Sequence, residues 1–89
     1  MKLRRVSRTG SGSLYITLPK DAFRFHDRVK VEFEGHHLII RRDPQGDRKV
    51  TRYWHGLAVY LPKGMLEPGT VLLETEVRDG YVRLVKLNV

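Results

Sequence analysis

Leu14-Tyr15-Ile16-Thr17-Leu18-Pro19-Lys20 is written a second time in this chain, as Leu57-Ala58-Val59-Tyr60-Leu61-Pro62-Lys63. In each copy an aliphatic side chain falls on every second residue: Leu14, Ile16 and Leu18 in one, Leu57, Val59 and Leu61 in the other. A period of two marks a half-buried β-strand, whose successive side chains point to opposite faces. Proline ends each strand, because it has no amide hydrogen for a ladder and its fixed φ suits the start of a helical turn.

The match extends outward in both directions. Upstream, Val6-Ser7-Arg8 answers to Val50-Thr51-Arg52. Downstream, Arg28-Val29-Lys30-Val31-Glu32 answers to Thr70-Val71-Leu72-Leu73-Glu74, and Gly35…Leu38-Ile39-Ile40-Arg41 to Gly80…Arg83-Leu84-Val85-Lys86. Segments recurring in one order predict a tandem duplication. The first repeat is residues 1–42, the linker 43–47 and the second repeat 48–89. Asp43-Pro44-Gln45-Gly46-Asp47 has the composition of a turn, and it is short enough to keep the repeats adjacent.

The chain has 89 residues, the size of one small domain. A repeat of about forty residues rarely sustains a core without disulfides, a metal or a partner. There is no cysteine, so neither a disulfide nor a thiolate metal site can help. The repeats are therefore expected to bury their apolar faces against each other, as a single-chain counterpart of a homodimer. Cysteine-free composition, no apolar run of membrane-spanning length and no apolar leader at the N-terminus together predict a cytoplasmic protein without membrane attachment. Only Gln45 and Asn88 carry side-chain amides, a depletion also found in heat-adapted proteins.

In chain order, Lys2–Arg8 reads as a first strand with Leu3 and Val6 available for burial, and Thr9–Ser13 as the loop of a hairpin into Leu14–Leu18. Pro19–Phe25 is expected to make one or two helical turns, with Phe23 plugging the core; Lys63–Leu66 makes a turn at most, since Gly64 weakens a helix and Pro68 stops it. Residues 28–33, 37–42, 48–52, 57–61, 71–77 and 81–87 complete eight short strands, so the fold is predicted to be mainly β.

The formal charge is +7, and it is segregated. From Met1 to Lys20 there are Lys2, Arg4, Arg5, Arg8 and Lys20 and no acid; from Arg48 to Leu66 there are Arg48, Lys49, Arg52 and Lys63 and no acid. All ten carboxylates lie elsewhere. A charge serving solubility alone has no reason to collect in the same element of both repeats.

Arg8…Gly12-Ser13…Leu18-Pro19, Asp27-Arg28-Val29-Lys30-Val31-Glu32 and Gly35…Leu38-Ile39-Ile40 resemble the AbrB/MazE/SpoVT swapped-hairpin domain. Arg52-Tyr53-Trp54…Leu61-Pro62 and Gly69-Thr70-Val71…Glu74 repeat the likeness, so it covers nearly the whole chain twice. The resemblance implies a β-barrel of interleaved hairpins, here with both halves in one chain, and duplex DNA binding through basic residues of the N-terminal strands and loop. This chain departs from that family in its second strand, where Ser13, Thr17, Gly56 and Tyr60 stand at places often basic in relatives. DNA contacts are thus expected from the first strand. With the last strand reaching Leu87 and the sequence running to Val89, a toxin-wrapping role of the MazE kind is not expected.

The candidate DNA-binding residues are therefore Arg4, Arg5 and Arg8 with Arg48, Lys49 and Arg52, a paired basic strip that would release counterions from phosphates. The plain alternative is a solvated basic face. Ser11 and Ser13 are candidates as phosphate donors, against an ordinary role in a glycine turn. Trp54 and His55, beside Tyr53, are candidates for stacking or backbone contact, against service as a loop anchor.

His36 and His37 are adjacent on a hairpin and point to opposite faces, so with His26 they suggest no metal site. No nucleophile–base order, nucleotide loop or carboxylate pair suggests an enzyme, and no cofactor is expected. The expected function is double-stranded DNA binding, as a transcriptional regulator or a nucleoid-associated coating protein. Alternatives are an RNA-binding module using the Tyr53-Trp54 loop and an antitoxin-like protein-interaction module. The expected assembly is a monomer or a homodimer of it.

Overall fold

The period-two segments form strands, and every pairing among them is antiparallel. The computed structural model describes residues 2–88, and among them it contains strands and no helix. The strands are β1 (Leu3–Arg5), β2 (Ser7–Arg8), β3 (Leu14–Leu18), β4 (Arg28–Glu34), β5 (His37–Arg42), β6 (Arg48–Lys49), β7 (Thr51–Tyr53), β8 (Gly56–Tyr60), β9 (Val71–Arg78) and β10 (Tyr81–Lys86). One sheet has the order β1-β9-β10-β5-β4-β6, the other β2-β3-β8-β7.

The two sheets share their chain. The expected single first strand bends at Val6, so that β1 pairs with β9 in one sheet and β2 with β3 in the other. Val50 makes the same corner between β6 and β7. Both valines are buried, at 1% and 0% exposure, and both corners are tied by backbone bonds. Val6 donates to the Thr70 carbonyl and accepts from Gly69 N–H, each at 2.8 Å. Val50 donates to the Asp27 carbonyl at 2.8 Å and accepts from His26 N–H at 3.0 Å. Strands that change sheet in this way make the corners between packed sheets, and here they curl the antiparallel structure into a half-barrel.

Between the sheets lies one core. Ile16, Leu18, Leu57, Val59 and Leu61 face it from the four-stranded side, and Val29, Leu38, Ile40, Leu72, Val82 and Leu84 from the other. Leu3, expected to be available for burial, is 60% exposed, because strand alternation puts it on the face opposite Arg4 and Val6.

No helix follows either proline. Ala22 N–H bonds the Pro19 carbonyl at 3.1 Å and Met65 N–H the Pro62 carbonyl at 3.2 Å, one turn in each case. A first turn costs more conformational freedom than its single bond returns, so it persists here only as a way to aim Phe23 and Leu66 inward. Phe23 fills the core as expected, at 2% exposure, and such a burial contributes about 1.5–3 kcal/mol.

Both strand orders read the same in reverse when each strand is replaced by the one five places along the chain. At the centre of the four-stranded sheet the two copies of the opening stretch pair with each other, Ile16 opposite Val59. The strand pairing also shifts the match between the recurring sequence segments by one residue. Leu72 lies between Arg4 and Lys86, and Val29 between Arg48 and Arg42. Hence Val29 corresponds to Leu72, not Val71, and Val31 to Glu74.

Candidate nucleic-acid interface

Charge divides between the sheets. The strands of the four-stranded sheet contain no acid, whereas Glu32 and Glu34 lie on β4 and Glu74 and Glu76 on β9. Several cations of the larger sheet are engaged: Arg41 pairs with Glu32 and Asp43, Arg42 with Asp27 and Asp79, and Arg78 with Glu76.

Arg8 and Arg52 occupy the two edge strands of the acid-free sheet, β2 and β7, and both are exposed. Neither has a carboxylate partner among the described residues. Arg8 is opposite Leu14 and Arg52 opposite Leu57, which in turn is opposite Leu18. Three strand spacings across and four residues along place the two arginines roughly 20 Å apart. The Arg52 guanidinium rests on the Phe25 ring, 4.7 Å from its centroid, which orients the charge without neutralising it. Arg5 and Lys49 are exposed on β1 and β6, the edge strands of the larger sheet.

Arg4, unlike Arg8 and Arg52, is largely buried. The strand alternation turns it inward, where its Nε donates to the Glu74 carboxylate and its Nη1 to Thr17 Oγ1 at 2.9 Å. The two charged side chains are 9% and 10% exposed. Its counterpart Arg48 also turns inward and donates from Nη1 to the Tyr60 carbonyl at 3.2 Å. Residues 17 and 60 correspond, so the two arginines reach the same point of each half. What differs is the carboxylate: Glu74 bonds Arg4, whereas the matching position on β4 is Val31, two residues beyond the partner of Arg48.

A cavity of about 520 Å³ opens beside Arg4, lined also by Lys2, Lys20, Asp21, His55 and Glu74. One of about 510 Å³ opens beside Arg48, lined also by Arg8, Ser11, Ser13, Tyr60 and Lys63. The fold thus brings together Arg8, Ser11, Ser13 and Arg48, and separately Arg4 and His55. Sequence reasoning passed over Lys20, Lys63 and Glu74. The lysines were signalled by the repeated Leu-Pro-Lys itself; Glu74 carried no signal, because its inward direction depends on the strand pairing.

The two hairpin loops differ. Thr9 Oγ1 lies 3.0 Å from Ser11 Oγ and accepts from Ser13 N–H at 3.1 Å, and Gly12 takes φ 94°, so the serine loop is internally held. In the other loop Trp54 takes φ 53° and is 84% exposed, so it anchors nothing in the core. His55 beside it is exposed as well. Tyr53 lies 6.5 Å from the Trp54 ring and 5.0 Å from Tyr15, and Tyr15 lies 6.3 Å from Tyr60. The Tyr53 hydroxyl, and then burial, push the Tyr15 phenol above its ordinary pKa.

Among the described residues no three His, Asp or Glu side chains converge as a metal site, and no helix is long and apolar enough to cross a membrane. No family model, curated protein or solved structure matches the chain.

Proposed function

We propose that this protein binds double-stranded DNA, as a duplicated swapped-hairpin barrel of the AbrB type whose two halves present Arg8 and Arg52 to the phosphate backbone. The observation that carries the reading is the acid-free four-stranded sheet with an unpaired arginine on each edge. A duplex is a polyanion, and each phosphate neutralised releases a condensed counterion. Exposed Arg5 and Lys49 extend the strip toward the larger sheet. A span of about 20 Å corresponds to roughly six steps of 3.4 Å along a strand. The exchange of strand order between the two halves, and the pairing of β1 with β9 and of β6 with β4, support the duplicated, interleaved reading of the fold. The contacts are to phosphates, so the expected role is as a regulator of broad preference or a nucleoid coating protein.

Fluorescence anisotropy with a mixed-sequence duplex across a salt series tests this. Arg8→Ala/Arg52→Ala lowers affinity and reduces the slope of log K against log salt by about two. Lys30→Ala/Arg78→Ala, on the larger sheet, changes neither. Equal losses from both pairs would reduce the binding to bulk charge.

A second reading, single-stranded RNA or DNA, is favoured by one specific observation, the exposure of Trp54 beside Tyr53 and Tyr15. Base stacking on an aromatic side chain contributes about 1–3 kcal/mol per base. On that reading Trp54→Ala weakens single-strand binding by at least about tenfold and leaves duplex binding unchanged.

A further inference from the structure

We propose that the cavity between the Thr9–Ser13 loop and Lys63 is a phosphate-binding site, in which Arg48 and Arg8, with Lys63, hold one oxyanion. The two halves of the molecule serve as control for each other. In the first half Arg4 Nε donates to a carboxylate, Glu74, that the chain itself provides. In the second half the corresponding Arg48 Nε is buried and has no hydrogen-bond partner among the described residues. A buried charged donor is costly to leave unpaired, and native structures rarely leave one so. Glu74 shows that the matching guanidinium of the first half takes an oxyanion, and in the second half the Arg48 side chain borders an open cavity where one could face it.

The linings agree. The cavity beside Arg4 carries three Lys and Arg side chains and also Asp21 and Glu74, so its field is largely cancelled. The cavity beside Arg48 carries Arg8, Arg48 and Lys63 and no acid, with the hydroxyl-bearing Ser11 and Ser13 on its rim. Arginine presents a planar fork that matches the oxygens of a phosphate, and lysine adds a mobile point charge. Two sources present this group, a backbone phosphate of a nucleic acid and a free phosphate or small phosphorylated molecule. The site overlaps the duplex interface proposed above and is separable from it by experiment.

The test follows the arginine Nε–Hε resonances of the full chain by NMR. Inorganic phosphate is titrated against chloride at constant ionic strength, and Arg4→Lys and Arg48→Lys provide the assignments. A saturable shift at Arg48, absent at Arg4 and at exposed Arg5, is the expected result. Val31→Glu gives Arg48 an internal carboxylate and weakens its phosphate response by about tenfold, the effect of losing one charge-assisted contact. Glu74→Gln makes Arg4 respond. Arg8→Gln, an exposed edge substitution that spares the core, also weakens binding at Arg48.

A shift at Arg48 that is linear and no larger than at Arg5 overturns the proposal. So does a response that Val31→Glu and Arg8→Gln both leave unchanged. A short duplex without terminal phosphates then identifies the source. Competition with phosphate at Arg48 assigns the site to the nucleic-acid backbone. Duplex binding without competition assigns it to a free phosphorylated molecule. Saturable phosphate binding with no duplex binding keeps this site and removes the duplex reading.

Discussion

Arg4 is the residue whose role the structure changes most, and Arg4→Met tests the change. The substitution keeps a chain of similar length and deletes the guanidinium that bonds Glu74 and Thr17. Glu74 is then left 8% exposed without its ion-pair partner. Removing one partner of a buried ion pair costs about 3–5 kcal/mol, most of it the penalty on the charge left behind. Both side chains here retain about a tenth of their exposure, so the lower end, about 3 kcal/mol, is the expected value. For a domain of this size that lowers Tm by roughly 12–24 °C.

The reverse single substitution, Glu74→Val, installs the residue type found at the corresponding position 31. It costs less, about 1–2 kcal/mol, because the arginine can turn its charge toward the adjoining cavity. Arg4→Met/Glu74→Val then recovers to within about 1 kcal/mol of the native chain, giving a coupling of at least about 3 kcal/mol. Urea unfolding followed by circular dichroism measures all four corners of the cycle. Trp54 fluorescence is a poor probe, since the ring is already 84% exposed in the fold. Additive losses would refute the argument, as would an Arg4→Met variant of native stability that has lost DNA binding.

Two backbone predictions follow from single positions. Gly46 packs against Val29 so closely that an added Cβ would sit 2.3 Å from a main-chain oxygen; Gly46→Ala is expected to cost about 3 kcal/mol or more in urea unfolding. Gly69 and His26 occupy corresponding corners, with φ of 88° and 75°, and an added Cβ at Gly69 meets no neighbour within 4 Å. Gly69→Ala therefore costs about 1–2 kcal/mol of backbone strain alone, while His26→Gly, which exchanges that strain for chain entropy, stays within about 0.5 kcal/mol of neutral. A neutral Gly69→Ala in thermal unfolding would count against the equivalence of the two corners.

Much of the fold was legible in residues near one another. Strands 14–18 and 28–33 were marked by alternation, 37–42 by the apolar run Leu38-Ile39-Ile40, and the strand ends by proline chemistry. The helical turns after Pro19 were misjudged because proline sets φ for a first turn whether or not a second follows. The bends at Val6 and Val50 escaped notice because a strand that changes sheets keeps its alternation, and only its hydrogen-bond partners change.

The sequence by itself determined the mainly β class, the recurrence of its segments and the gathering of cations in two acid-free windows. These are properties of period and composition, carried by side chains close together in the chain. Tertiary structure alone decided which of those cations are available. Arg4 and Arg48 occupy matching positions in matching strands, yet one meets Glu74 from the other half of the chain, and the other, paired opposite Val29, has Val31 at the position that matches Glu74. That difference depends on the register between strands separated by scores of residues, and register is set by packing of the whole core.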